Sequence, residues 1–435
     1  MKKVKNKNFL STNLFRNLFH GSQAHTNMSL FAVEGVMIAL INNLVGNNNN
    51  LFATRLGASD FQLSLVTALP QFLGMLVLIP GGMFTDSMNN KKKMVSLSLV
   101  SIGVTYFLLG FTPALGGYSF LAFLLLLTIS VGPMTIYNTS WQAYFSDVTP
   151  TGDRNKSFTL RTKWTFLVNL LVPIITGNLL ASANTTAAKL KFHQGFLWCA
   201  CITIIIQIFI LNKIKGGNAK VEARTKVSLS EIKNAAICLA HNRSFIGFAA
   251  VALFFYMTWQ SDWTLYYLGQ IKYLKLNEAW LGYVTVGGAA VQFLTIGYWS
   301  RVNEKHGVRF SIIMGALGLC FFPIIMIVST SLPASIAPTV FLIFNIIANF
   351  AFATVSLNIL QCLLQVVPEK NKTLSIAIYT VLITFSNAVM PMVGVKVYTL
   401  LGADLHALQL TFLIIFVSRI VSTLLWTLRW WLLKE

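Results

Sequence analysis

The stretch Ile79-Pro80-Gly81-Gly82-Met83-Phe84-Thr85-Asp86-Ser87-Met88-Asn89-Asn90-Lys91-Lys92-Lys93 joins two long apolar runs, 61–84 before it and 94–115 after it. So short a polar connection between two such runs forces a tight helical hairpin with its charges crowded at one end. Gly81 and Gly82 offer a surface without side chains, of the kind on which membrane helices pack closely. Asp86 stands at the edge of the apolar run, and the three lysines follow within the polar turn. A carboxylate and a basic cluster at one membrane face can anchor the hairpin at the lipid headgroups.

Composition sets the class. The chain has 435 residues, 55% of them hydrophobic and only 11% charged, and its mean hydropathy is +0.67. A soluble protein of this length could not solvate such a surface. The formal net charge is +20, yet the basic residues sit in short gaps between apolar runs rather than on one clustered face, which argues against a nucleic-acid partner. Cys199, Cys201, Cys238, Cys320 and Cys362 show no metal or redox spacing and read as reduced core residues.

About twenty apolar residues cross a bilayer. By that measure runs begin near Met28, Phe61, Met94, Tyr118, Phe158 and Phe196, then near Phe245, Ala279, Val308, Ile336, Leu374 and Leu408. The expected fold is an all-α integral membrane protein with twelve transmembrane helices. A charged interruption at 213–243 divides it into bundles 27–212 and 244–435. Residues 1–26 form a tail in which Leu10, Leu14 and Leu18 recur at helical spacing with Phe15 and Phe19. That pattern suits a short amphipathic helix on the membrane surface or a frayed end.

Orientation follows from charge. The lysines at 91–93, Arg154, Lys156, Arg161, Lys163, the central interruption, Arg301, Lys305, Arg309, Lys370, Lys372 and Lys434 all fall on one side of an even-numbered weave. The positive-inside rule places that side, with both termini, in the cytoplasm, and a bacterial inner membrane is the expected location. The halves also repeat. Leu63, Val66 and Thr67 correspond to Leu281, Val284 and Thr285, Pro150 to Pro368 and Pro173 to Pro391, each 218 residues on.

The opening stretch resembles the loop between the second and third helices of the major facilitator superfamily, whose pattern is Gly-x-Leu-x-Asp-Arg-x-Gly-Arg-Lys. Gly82, Phe84, Asp86 and Lys91 fit it directly or conservatively, and Ser87, Asn89 and Asn90 depart from it. Around Gly297 to Gly307 the second half carries a degenerate copy, with Arg301 where Asp86 would stand. With twelve spans and a parallel repeat, the resemblance covers nearly the whole chain. It implies two six-helix bundles related by a pseudo-twofold axis along the membrane normal. It further implies a secondary transporter of a small solute by rocker-switch alternating access, with Gly82, Asp86, Lys91 and Arg301 as a gating motif. The segment 255–307, with Trp-Gln-Ser-Asp-Trp-Thr-Leu-Tyr-Tyr near its start, resembles bacterial members of no assigned substrate. Two efflux signatures are weak: the fourth span has no Arg, and the fifth keeps only Pro173 and Gly177 of a Gly-Pro-rich kink.

The resemblance also implies that spans 1, 4, 7 and 10 line the cavity. Span 1 carries Glu34, Asn42 and Asn49, and span 4 carries Asn138, Trp141 and Gln142 beside Thr135. Span 7 carries Trp259, Asp262, Trp263 and Tyr266, and span 10 carries Asn345, Asn349, Phe352 and Ser356. Lipid cannot satisfy an amide, so these stripes face protein or water. Each lone amide alone is equally well interhelical glue, whereas four stripes on the four implied spans favour a cavity. The four asparagines at 47–50 point all round a helix and mark an unwound or tightly packed segment.

Ionisable groups within a span are costly, and their default explanation is function or pairing. Glu34 lies near enough to the cytoplasmic end to pair with a basic loop. Asp262 lies deeper, and the partner matched to it by depth is Lys396 of span 11. Paired, it is structural; facing the cavity alone, it suits a proton carrier or a cation site. The sequence calls for no cofactor or metal. The expected partners are a small-molecule substrate, the bilayer and, as candidate coupling ions, protons, with the chain acting as a monomer. A drug or metabolite antiporter is the nearest alternative. A membrane receptor or enzyme on the same scaffold is another class, but no His, Cys and acid set lies within the spans and no Gly-rich phosphate loop occurs.

Overall fold

The computed structural model describes residues 22–88, 90–216, 229–368 and 372–432. The 1–21 tail, the linker segment 217–228, Asn89, Lys370 and Lys434 lie outside the described residues, as do the side chains of Asp86, Ser87 and Ser356.

Among the described residues twelve helices are long and apolar enough to cross a membrane. They are α1 (Gln23–Arg55), α2 (Asp60–Thr85), α3 (Lys91–Leu109), α4 (Thr112–Val148), α5 (Thr151–Ala181), α6 (Thr186–Lys213), α7 (Arg243–Tyr273), α8 (Glu278–His306), α9 (Val308–Ser331), α10 (Ala337–Val366), α11 (Ser375–Leu400) and α12 (Leu405–Leu432). A further helix, Leu229–His241, precedes α7. Large apolar side chains such as Leu294, Leu400 and Phe209 are exposed, as lipid-facing residues must be.

Helix starts obey capping as well as hydropathy. Ser59 and Gln62 form a reciprocal capping box at the head of α2. Asn90, Thr185, Asn242 and Asn277 each accept from a backbone N–H three residues on, starting α3, α6, α7 and α8. Hydropathy therefore places most starts within a few residues but puts α5 and α6 too late, at Phe158 and Phe196 rather than Thr151 and Thr186. Their first two or three turns are polar and still helical, so Arg161 and Lys163 belong to a span and not to a loop.

The first spans of both halves are interrupted at matching places. The α1 helix stops at Leu44, passes through a tight turn at Gly46–Asn48 and resumes at Asn49. Asn48 Nδ2 donates to the carbonyls of Asn43 and Leu44 there, which identifies the asparagine run as a helix break. The α7 break falls at Asp262, 218 residues after Leu44.

The two bundles meet through α2 against α11 and α5 against α8. The second seam depends on two glycines facing each other's backbones. A Cβ on Gly177 would lie 2.6 Å from the Glu278 carbonyl oxygen, and one on Gly282 would lie 2.6 Å from that of Pro173. Gly82 has no such role, since a Cβ there would meet nothing within 4 Å, and one on Gly81 would meet only the side chains of Val77 and Ile136. The close backbone approach expected at Gly81 and Gly82 is instead found at α5–α8.

Candidate functional site

The α7 break builds the site. Helix ends at Gln260, turns through Ser261 and Asp262, and resumes at Trp263 before a wide π turn at Gly269–Tyr273. Gly394 of α11 makes room for it, because a Cβ there would collide with the Ser261 carbonyl oxygen. The interruption leaves the Trp259 carbonyl to accept from another helix, and Arg419 Nη2 of α12 donates to it at 3.0 Å. The same nitrogen donates to Asp262 Oδ2 at 2.6 Å, while Arg419 Nη1 donates to the Leu319 carbonyl of α9 at 2.6 Å. Asp262 is 4% exposed and Arg419 3%. Such a pair repays its desolvation only when further hydrogen bonds complete it, and the two carbonyls supply them. Arg419 Nε has no hydrogen-bonding partner among the described residues.

Asp262 is therefore paired, with Arg419 and not Lys396. Lys396 is exposed. It lies two residues beyond Gly394, about 200° round the helix from the face that meets α7.

The pair forms one wall of a cavity of about 550 Å³. Trp259, Trp263 and Tyr266 line it from α7, Thr285, Gly288 and Gln292 from α8, Phe322 from α9, and Asn345, Asn349 and Phe352 from α10. The amides are ordered as a chain: Asn345 Nδ2 donates to Tyr266 Oη at 2.5 Å, Gln292 Nε2 to Asn349 Oδ1 at 2.8 Å, and Asn349 Nδ2 to the Asn345 carbonyl at 2.9 Å. Gly288 lets that chain pass, since a Cβ there would lie 2.9 Å from the Asn349 amide nitrogen. The result is an apolar, aromatic enclosure with a few fixed polar groups and one buried charge pair, the usual make-up of a small-molecule site.

A family model described as Major Facilitator Superfamily matches residues 28–290, more than half of the chain. The chain belongs to the major facilitator superfamily. Solved structures agree on the fold at low identity. A POT family transporter in complex with a thioalcohol-conjugated peptide is 13% identical with a TM-score of 0.71, over 94% of this chain and 96% of that one. The nucleoside transporter NupG is 11% identical with a TM-score of 0.70, over 91% and 99%. A D-xylose-proton symporter is 14% identical with a TM-score of 0.68, over 93% and 97%. Comparison with curated proteins gives no match.

Within this superfamily member the expected residues of α7 and α10 converge, and those of α1 and α4 do not join them. Asn42, Asn138 and Gln142 are exposed and Asn49 is half-buried, all outside the 550 Å³ cavity. On α1 the amide that bonds across helices is Asn43, whose Nδ2 donates to Asn169 Oδ1 of α5 at 2.7 Å. Glu34 is fully buried in a separate cluster. It accepts from Tyr137 Oη of α4, from Gln207 Nε2 of α6 at 2.9 Å and from Arg161 Nε of α5 at 3.4 Å. Arg161 also lies 4.0 Å over the ring of Trp141, and Gly35 leaves room for its side chain. Glu34 thus pairs with a basic residue as expected, though that residue belongs to a helix.

Of the residues expected to form a gating motif, Lys91 donates to Asp147 Oδ2 at 2.7 Å, tying α3 to α4 inside one bundle. Arg301 is exposed on α8. A bridge between bundles stands at the other face, away from the start of α1 and the end of α12. Glu278 accepts there from Arg55 of α1 and, at 2.7 Å, from Lys189 of α6. Around it Thr54 and Tyr267 hydroxyls lie 2.8 Å apart, and Lys272 Nζ donates to Asp60 Oδ2 at 3.0 Å. Sequence reading overlooked Arg419, Gln207, Gln292 and Glu278. Arg419 carried its own signal, an arginine midway along the apolar run of α12.

Proposed function

We propose that this protein is a secondary transporter that carries a small polar solute by alternating access, binding it in the 550 Å³ cavity beside Asp262 and Arg419. One observation carries the reading: a buried charge pair, with one guanidinium N–H unpartnered among the described residues, forms a cavity wall instead of lying in a closed core. In a membrane-buried pair of this kind a proton can neutralise Asp262 while an anionic solute group takes its place at Arg419, so that neither charge is left uncompensated. Protons are the coupling ion this favours, and a named neighbour of the same fold is a proton symporter.

The bundles 27–212 and 244–435 rock about the cavity, and the Glu278 cluster closes the face away from the termini. The basic balance of the loops supports termini in the cytoplasm of a bacterial cell, with a monomer as the working unit. Cysteines introduced at Asn90 and Thr151 are then labelled only from the cytoplasmic side.

The function itself is tested by thermal-shift screening of purified protein against amino acids, nucleosides, sugars and cationic drugs, followed by flux of the stabilising solute in liposomes. Asp262→Asn with Arg419→Gln, which strands no charge, loses dependence of flux on a proton gradient while solute exchange persists. Gradient-driven accumulation equal to wild type sinks the coupling role. Chemical turnover of the solute without flux sinks the transporter reading.

A further inference from the structure

A second cavity of about 400 Å³ lies between α7, α10 and α11, on the other side of Trp259 and Trp263, which line both cavities. Its character differs from that of the first. Among the described residues no charged side chain lines it. Its walls are Tyr256, the two tryptophans, Tyr379 and a few aliphatic and threonine side chains, and its polar groups are the amides of Gln260 and Asn387. Gln260 is 1% exposed and Tyr379 7%. Gln260 Oε1, Tyr379 Oη and Asn387 Oδ1 are all buried without a hydrogen-bonding partner among the described residues.

Three such atoms on side chains that line one cavity are costly, since each buried polar atom left unpaired forfeits its hydration. The neighbouring hydroxyls do not relieve them. Thr380 Oγ1 donates to the Ile376 carbonyl and Thr384 Oγ1 to the Thr380 carbonyl, each at 2.8 Å, so both turn only oxygen lone pairs to the cavity. What completes the set must donate and accept at several points, carry no net charge and present an apolar face to indole and phenol rings. A hydroxyl does the first, because it donates and accepts equally well. A ring bearing several of them does the rest, stacking its C–H face on the aromatic wall. A carboxylate would find no cation here, and an ammonium no carboxylate.

We propose that this cavity is a second binding site for a neutral polyhydroxylated ring of monosaccharide size, held by Gln260, Tyr379 and Asn387 against Trp259 and Trp263. Its volume lies at the lower end of the range for small-molecule sites, which suits one ring and not two. The site goes beyond the transport proposal, because it is defined by binding and does not use the charge pair.

The test is equilibrium binding, by calorimetry and thermal shift, of D-glucose, D-ribose and myo-inositol to the purified full-length protein in detergent. At least one of the three binds wild type and raises its melting temperature. Asn387→Leu and, separately, Tyr379→Phe each weaken that binding by about tenfold, the effect of one buried hydrogen bond. The Asp262→Asn, Arg419→Gln double variant binds it as wild type does. Tyr379→Phe removes one oxygen atom, so a loss of binding with an unchanged unliganded melting temperature is not a folding defect. Binding of none of the three overturns the proposal. So does binding that is abolished by the charge-pair variant but untouched at Asn387 and Tyr379, which puts the polyol in the first cavity.

Discussion

Lys189 of α6 crosses from one bundle to the other to place its Nζ 2.7 Å from Glu278 Oε1 at the head of α8. Arg55 of α1 converges on the same oxygen. Glu278 is 3% exposed while its partners keep 18% and 25% of their side-chain surface, so one buried carboxylate answers two half-buried cations. The interaction stands between the surface and buried limits, on the order of 1 kcal/mol or more. Glu278→Gln removes it and leaves two like charges side by side. A cysteine in place of Tyr267, whose hydroxyl meets Thr54 beside this cluster, is then labelled about five- to tenfold faster by an impermeant thiol reagent from that face. An unchanged labelling rate means that Glu278 does not hold the face closed.

The glycine seam on the same interface gives a sharper contrast. Gly177→Ala puts a methyl 2.6 Å from the Glu278 carbonyl, an atom that moves only with the α8 backbone. Gly82→Ala, in the hairpin resembling the superfamily's gating loop, puts one where nothing lies within 4 Å. The first is expected to cost on the order of 1–3 kcal/mol in thermal unfolding and the second to stay within about 0.5 kcal/mol. Equal effects at the two positions would remove the seam's claimed role.

The Glu34 cluster is expected to be structural. Glu34 has three donors on three other helices, so Glu34→Gln strands Arg161 over Trp141 with no carboxylate. Tyr137→Phe removes one donor and keeps the ion pair, and is expected to cost about 1–2 kcal/mol. Arg161→Lys keeps the charge but loses the planar group lying on the indole, and is expected to destabilise despite its conservative appearance. Folded, reconstituted protein carrying Tyr137→Phe should transport at the wild-type rate. A fall in transport with unchanged unfolding temperature would move Glu34 into the working site.

Much of this was legible in the sequence because lipid enforces it. Twelve apolar runs must be twelve helices where no water can satisfy a bent backbone, and the 218-residue repeat places both bundles. The cavity residues of α7 and α10 were readable for the same reason, since amides and an acid on one stripe of an apolar helix must face something polar. Direction around the helix is harder to read. Asn42 and Asn43 are neighbours in sequence but about 100° apart in azimuth, so a stripe counted one residue off selects the exposed amide instead of the one bonded to Asn169. Polar helix starts hid Arg161 in an apparent loop. The interbundle glycines were masked by a hairpin motif in which a Cβ on Gly82 would meet nothing within 4 Å among the described residues.

The same geometry decides the partner of Asp262. Depth alone matches it to Lys396, but Gly394 shows which face of α11 meets α7, and Lys396 lies on the far side. Arg419 reaches Asp262 from α12 and is held in place by the Leu319 and Trp259 carbonyls as well. Arg419→Met therefore leaves Asp262 as a buried charge without a counter-ion, at a cost of about 3–5 kcal/mol. Asp262→Asn leaves the guanidinium with two carbonyls and an amide oxygen, a milder loss. The double variant, Asp262→Asn with Arg419→Met, strands no charge, and is expected to recover a large part of the single-variant loss in a double-mutant cycle. Lys396→Met changes neither unfolding temperature nor transport. A coupling energy near zero between positions 262 and 419, together with a large effect at Lys396, would show that the acid of α7 answers to α11 after all.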